Sequence, residues 1–142
     1  SDEAGRIVAA IAAGLEHAHG HGIIHRDIKS ANVILKADGE VKILDFGLAL
    51  RADTSTLTQL GAVLGTLAYM SPEQLRGTTI DARTDLWSLG VVFYECLTGP
   101  RPFDGPTAES TIHNILRTAP RAIWRAHPRV IAGFADVVGR LL

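Results

Sequence analysis

With 142 residues the chain fits a single domain, long enough to bury roughly two-thirds of its unfolded surface, and its 46% apolar and 20% charged residues read as soluble and globular. A net charge of −1 excludes a broad field that would gather nucleic acid or an acidic membrane. The single cysteine, Cys96, excludes an internal disulfide and points to a reducing, cytoplasmic compartment.

Ile7, Ala10, Ile11, Gly14, Leu15 and Ala18 follow the three-and-four spacing of an amphipathic helix, predicted to stop near Gly20-His21-Gly22. Val33 to Leu35 and Val41 to Leu44 are short apolar runs around Asp38-Gly39, which predicts a hairpin. From Leu48 to Leu64 the sequence is polar, Thr-rich and aperiodic, which predicts a mobile loop. Asp81 to Thr98 reads as a helix apolar on nearly all sides and therefore central, with Trp87, Phe93 and Tyr94 as core aromatics. Its longest apolar run, around Leu86 to Leu97, suits a buried helix, and no stretch is long enough to cross a bilayer. Pro100 to Pro106 is a turn region, and Thr107 to Arg117 and Val130 to Leu142 are two further helices. The fold class is mainly α with one small β-hairpin. No signal peptide is expected within these residues, which begin at Ser1 without a methionine, so Ser1 is not expected to be the natural start.

The polar motifs gather at the hairpin. Asp27 lies five positions before Asn32, and Asp45-Phe46-Gly47 follows the second strand. A hairpin carrying Asn32 and Asp45 at its ends can bring two hard oxygens to one place, which suits Mg²⁺ together with substrate phosphates. Asp27 is then free to accept a hydroxyl proton, Lys29 to place positive charge beside a transferred phosphoryl group, and Gly47 to turn the chain sharply away. His17, His19 and His21 alternate, but a helix does not aim positions i and i+2 at one point. They are expected to be a solvated helix end. Trp124 with Arg121, Arg125 and Arg129 is read as a partly solvated face.

His25-Arg26-Asp27 through Asn32 resembles the catalytic loop of eukaryotic-type protein kinases, and Asp45-Phe46-Gly47 resembles their magnesium motif. Ser71-Pro72-Glu73 is similar to the motif that closes the activation segment, with Ser in place of the usual Ala. Asp85-Leu86-Trp87-Ser88-Leu89-Gly90 is similar to the start of the family's central helix. The four motifs stand in the family's order at spacings of the expected size, strongly from His25 to Phe103 and loosely beyond Asp104. Lys29 and Gly65-Thr66 follow the Ser/Thr-specific pattern, and "GTLAYMSPEQLRG" is close to bacterial Ser/Thr kinases that carry extracellular sensor domains.

The resemblance implies roles. Asp27 is the catalytic base, Lys29 neutralises the γ-phosphate, and Thr66 fixes the base. Asn32 and Asp45 hold Mg²⁺ (or Mn²⁺), and Ile34 forms the floor beneath the adenine of ATP, supported by Val92 and Cys96. His25 and Phe46 belong to a stacked apolar column. Asp85 accepts backbone hydrogen bonds from the catalytic loop. Arg26 awaits an activation-loop phosphate, for which Thr58 leads, followed by Thr56, Ser55 and Thr54.

The sequence departs from the family by omission. It has no Gly-rich loop, no Val-Ala-Ile-Lys strand, and no arginine beyond Leu142 to pair with Glu73. Residues 1–142 are therefore read as part of a protein kinase catalytic domain: the large lobe, from the helix before the catalytic loop to the helix before the absent arginine. The parent is expected to phosphorylate Ser and Thr on protein substrates in the cytoplasm or on the cytoplasmic side of a membrane anchor, with its small lobe in cis and no nucleic-acid partner. This chain alone is expected to be inactive, with Glu73 unpaired, the activation segment loose and Arg140 a doubtful substitute. The rival readings are a partner-binding pseudokinase lobe and a small-molecule phosphotransferase of similar fold. Intact Asp27, Asn32 and Asp45 weigh against the first, and Gly65 to Glu73 against the second.

Overall fold

The computed structural model describes residues 2–46, 62–120, 123 and 132–142. Helix α1 (Asp2–Gly20) begins with Asp2 and Glu3 and ends with His17 and His19, so both termini complement the helix dipole. Ala4, Val8, Ile11, Leu15 and Ala18 recur every three or four residues and form its buried stripe. The helix closes with Ile23 N–H donating to the Ala18 carbonyl and Gly22 N–H to that of His19. Gly22 makes this possible at φ 73°, where a side chain is strained.

Strands β1 (Val33–Leu35) and β2 (Val41–Ile43) pair antiparallel, Val33 opposite Ile43 and Leu35 opposite Val41. Val33, Val41 and Ile43 pack on the core, whereas Ile34 and Leu35 face outward. The turn uses Gly39 at φ 85°, and the Asp38 carboxylate accepts the Glu40 N–H at 2.9 Å.

Short helix α2 (Ala62–Leu67) occupies residues that the sequence assigns, as far as Leu64, to a loop. The poor helix formers Gly65 and Thr66 hide it. The remainder of that predicted loop, Leu48 to Gly61, and Gly47 lie outside the described residues. Helix α3 (Pro72–Arg76), which the sequence reading does not include, is one turn with complete end chemistry. Ser71 and Gln74 form a reciprocal capping box, Pro72 opens the helix, and Gly77 closes it in the left-handed region.

Helix α4 (Arg83–Thr98) is the central element, buried along Ser88 to Tyr94. It begins two residues later than its pattern suggests, because Asp81 stays outside and its carboxylate accepts the Arg83 N–H. Helix α5 (Ala108–Arg117) is capped by Thr107 with Ser110. Helix α6 (Ala132–Leu141) follows. Helices α1 and α6 both pack on α4, with Phe93 edge-to-face against Phe134 at 5.4 Å between centroids. Among the described residues, no helix is long and apolar enough to cross a membrane.

Gly90 sets how closely α6 approaches α4: a Cβ there meets Leu141 Cβ at 2.8 Å and Leu142 Cδ2 at 2.9 Å. Gly90→Ala gains helix propensity of about 1 kcal/mol, but overpacking costs about 1–3 kcal/mol. A net loss of up to about 2 kcal/mol is expected in urea unfolding. A raised midpoint refutes the close approach.

Candidate functional site

The loop from His25 to Asn32 is held from below by one buried carboxylate. Asp85 has no exposed surface. Its Oδ2 accepts the His25 backbone N–H at 2.8 Å, and its Oδ1 accepts that of Arg26 at 2.7 Å. Arg26 sits at φ 68°, a left-handed conformation that residues other than glycine rarely adopt, so the loop needs this anchor. The Arg26 carbonyl accepts from Gln74 Nε2 at 2.8 Å, tying the loop to α3.

His25 is also fully buried, and its ring serves two segments. Nδ1 accepts the Asp27 N–H at 3.2 Å, which leaves Nε2–H to donate to the Leu44 carbonyl at 2.8 Å. The ring meets Phe46 edge-on at 4.7 Å. Both chain neighbours of Asp45 are thus held by the imidazole that also orients Asp27. Asp45 itself is exposed at φ 61°.

The Leu44 N–H donates to the Asn32 carbonyl at 2.8 Å, extending the hairpin by one rung towards its open end. Asn32 and Asp45 therefore lie on adjacent chain segments. Asn32 donates its amide nitrogen to the Asp27 carbonyl oxygen at 2.9 Å and to Asp27 Oδ2 at 3.1 Å. With the nitrogen so used, the amide oxygen is the atom left to meet a cation. Lys29 Nζ lies 2.9 Å from Asp27 Oδ2 and donates to Thr66 Oγ1 at 3.0 Å. Thr66 reaches Asp27 through Lys29.

These contacts bring Asp27, Lys29, Asn32 and Thr66 into one hydrogen-bonded set, with Asp45 one rung away. Ile34 lies on the outward face of β1, 43% exposed, and Leu35, Leu44 and Phe46 are exposed apolar residues too. Arg26 is exposed, while Thr54, Ser55, Thr56 and Thr58 lie outside the described residues, as do Arg121, Trp124, Arg125 and Arg129.

Two expectations need correction. Cys96 is exposed, not a packed support, although Val92 beside it is buried. A helix apolar on nearly all sides gives no phase by which to tell open positions such as Leu86 and Cys96. Glu73 is half-buried and not without a partner: Thr84 Oγ1 donates to it at 2.6 Å. Arg140 instead pairs with Asp136 at 2.9 Å, one turn back on its own helix.

Other groups at the site were not foreseen from the sequence. Glu95 accepts from Tyr69 OH at 2.7 Å and from Ser30 Oγ, bracing the loop against α4. Burial raises the Tyr69 pKa, so the phenol stays a donor. His19, expected to be solvated, has Nε2 2.7 Å from Asp85 Oδ2. Their partners lie 26 to 66 residues away in sequence, and no local spacing signals them.

The family model for the protein kinase domain matches residues 1–137. The chain is 47% identical over 137 residues to the serine/threonine-protein kinase PknB of Mycobacterium leprae, covering 96% of this chain and 22% of that protein. It is 37% identical to the probable PknB of Lactococcus lactis, covering 97% and 22%. Against the PknL of Mycobacterium tuberculosis the figures are 43% identity, 82% and 29%. The chain thus spans about a fifth of the length of the first of these relatives.

Proposed function

Because the chain belongs to the protein kinase domain family, we propose that it supplies the acceptor-orienting half of an ATP-dependent protein serine/threonine phosphotransferase. The observation that carries this reading is the joint hold of Lys29 and Asn32 on one oxygen of Asp27. It presents the carboxylate in a fixed pose to an incoming alcohol.

The reaction forms a bond between a Ser or Thr oxygen of the substrate protein and the γ-phosphorus of ATP. The bond from that phosphorus to the bridging oxygen of ADP breaks, and the hydroxyl proton passes to Asp27. Lys29 sets positive charge beside the transferred group, where charge-assisted contacts are strongest. The amide oxygen of Asn32 and the carboxylate of Asp45 are hard donors and fit a Mg²⁺ ion, which when bound supplies neutralisation of the phosphate charge. Ile34 offers an apolar surface to the purine. Glu73, through Thr84, ties the segment that receives the peptide to α4, and Gln74, through Arg26, ties it to the loop.

The test is a protein in which this chain follows the ATP-covering lobe of a PknB relative. Given radiolabelled ATP, Mg²⁺ and a Ser/Thr-rich acceptor protein, it is expected to yield phosphoserine and phosphothreonine. A folded, ATP-binding hybrid that transfers no phosphate refutes the proposal. In the same protein, Thr66→Val removes one of the two groups that locate Lys29. A kcat lower by about tenfold at unchanged KM for ATP is expected, matching the loss of one charge-assisted hydrogen bond. An unaltered kcat removes Thr66 from the set.

A further inference from the structure

We propose that Arg101, oriented by Asp104, is a positioning residue for Thr66; its effect on phosphate transfer rests on the phosphotransfer reading, but the contacts do not. Arg101 stands in the turn between α4 and α5, and its guanidinium makes three contacts at once. Nε donates to both Asp104 oxygens at 3.0 Å, and Nη1 donates to the Gly65 carbonyl at 3.3 Å. The central carbon, Cζ, lies 5.4 Å from the centroid of the Tyr69 ring. A planar fork can serve a carboxylate, a carbonyl and an aromatic face together, which a compact ammonium does not.

The turn is a firm base. Phe103 within it is fully buried and stacks on Trp87 at 5.3 Å between centroids. Asn114 Nδ2 donates to the Phe103 carbonyl at 3.2 Å, and Gly105 N–H donates to Thr111 Oγ1 at 3.0 Å. The segment facing Arg101 is anchored unevenly. Tyr69 is fixed to α4 twice, since its carbonyl accepts from Ser88 Oγ at 2.8 Å and its phenol donates to Glu95 at 2.7 Å. Four residues earlier, Gly65 is exposed and has no side chain to pack, so it is held through its carbonyl. That carbonyl belongs to the last turn of α2, where such groups have no intrahelical partner. Thr66 follows directly, and its hydroxyl locates Lys29 beside Asp27. Arg101 therefore fixes the backbone on the side of Thr66 away from Tyr69. Freeing Gly65 lets the Thr66 hydroxyl drift, and a displacement on the order of 1 Å in a positioning group slows a transfer that depends on alignment.

Two measurements test this. In the hybrid kinase, Arg101→Met keeps an apolar stem but removes the charge and the N–H groups. A kcat lower by about three- to tenfold is expected, with KM for ATP and for the acceptor protein within about twofold of the parent. In a Thr66→Val background the same substitution is expected to change kcat by less than about twofold, because the group it positions is already gone. An unaltered kcat in Arg101→Met overturns the proposal, as does a full additional loss in the Thr66→Val background. A raised KM for the acceptor at constant kcat also overturns it, by placing Arg101 on the substrate instead. The second measurement is amide hydrogen exchange by NMR in the 142-residue chain, without reference to phosphate transfer. The Tyr69 amide donates to the Thr66 carbonyl at 3.1 Å. In Arg101→Met it is expected to exchange at least about fivefold faster, with Val91 and Val92 in the core of α4 unaltered, as a local opening requires. Asp104→Ala leaves the guanidinium in place but unoriented and is expected to act in the same direction. Parent-like exchange at Tyr69 in either variant refutes the clamp, and so does equal acceleration at all three amides, which marks a loss of global stability alone. If Arg101→Met does not fold, Asp104→Ala carries both measurements under the same criteria. A parent hybrid that proves inactive leaves the exchange results intact, so the two readings fail separately.

Discussion

Asp27→Asn is expected to lower kcat for protein phosphorylation by about 10²- to 10⁴-fold in the hybrid kinase, the range that a positioned general base contributes. The substitution keeps the size and shape of a side chain that is one-third exposed. It replaces the oxygen that faces Lys29 and Asn32 with an amide unable to take a proton. Lys29 loses its anionic partner but keeps Thr66, so the ammonium is not set free. The loop backbone is untouched, because Asp85 and His25 hold it through main-chain N–H groups. The effect should therefore fall on kcat, with KM for ATP and the urea midpoint close to those of the parent. Steady-state rates at saturating ATP decide the matter. A variant retaining more than roughly a tenth of the parent rate, below the contribution expected of a base, means that Asp27 takes no proton in the rate-limiting step.

What could be read from the sequence follows the range of the interactions concerned. Asp27 and Asn32 lie in one loop, and the Asp38-Gly39 turn brings Asp45 back beside Asn32, so spacing alone predicts their meeting. The buried stripe of α1 is likewise a local pattern. The bracing of the loop is not local. His19 reaches Asp85, Ser30 and Tyr69 reach Glu95, and Gln74 reaches Arg26, across separations of 26 to 66 residues. Each of these polar residues stands in an ordinary context, a helix end, a turn or a cap, and nothing around it announces a distant partner. Helix α3 was hidden for another reason: five residues are too short for periodicity, although Ser71, Pro72 and Gly77 are start and stop signals in their own right. Glu73 shows how a motif can leave a partner unannounced. The resemblance supplies an arginine, whereas in this chain the hydroxyl of Thr84 occupies one carboxylate oxygen.

The largest stability effect is expected at Asp85. Asp85→Ala leaves the His25 and Arg26 N–H groups without their acceptor in a region where His25 and Asp85 are both fully buried. An orphaned buried N–H costs about 1–3 kcal/mol. Removing the charge returns part of this, because the carboxylate no longer has to be kept out of water. A net loss of about 2–4 kcal/mol remains, a large share of the total for a domain of this size. With a typical urea slope, the unfolding midpoint should fall by about 1–2 M. Asp85→Asn separates the shape of the group from its charge. One oxygen can still accept, but the amide nitrogen then confronts a backbone N–H or the His19 ring, so an intermediate loss is expected. The order parent, Asn, Ala follows from three donors converging on two oxygens. If the Ala variant unfolds at the same urea concentration as the parent, the anchor carries no weight. If Asn proves as stable as Asp, the negative charge is dispensable and a single acceptor suffices to hold the loop.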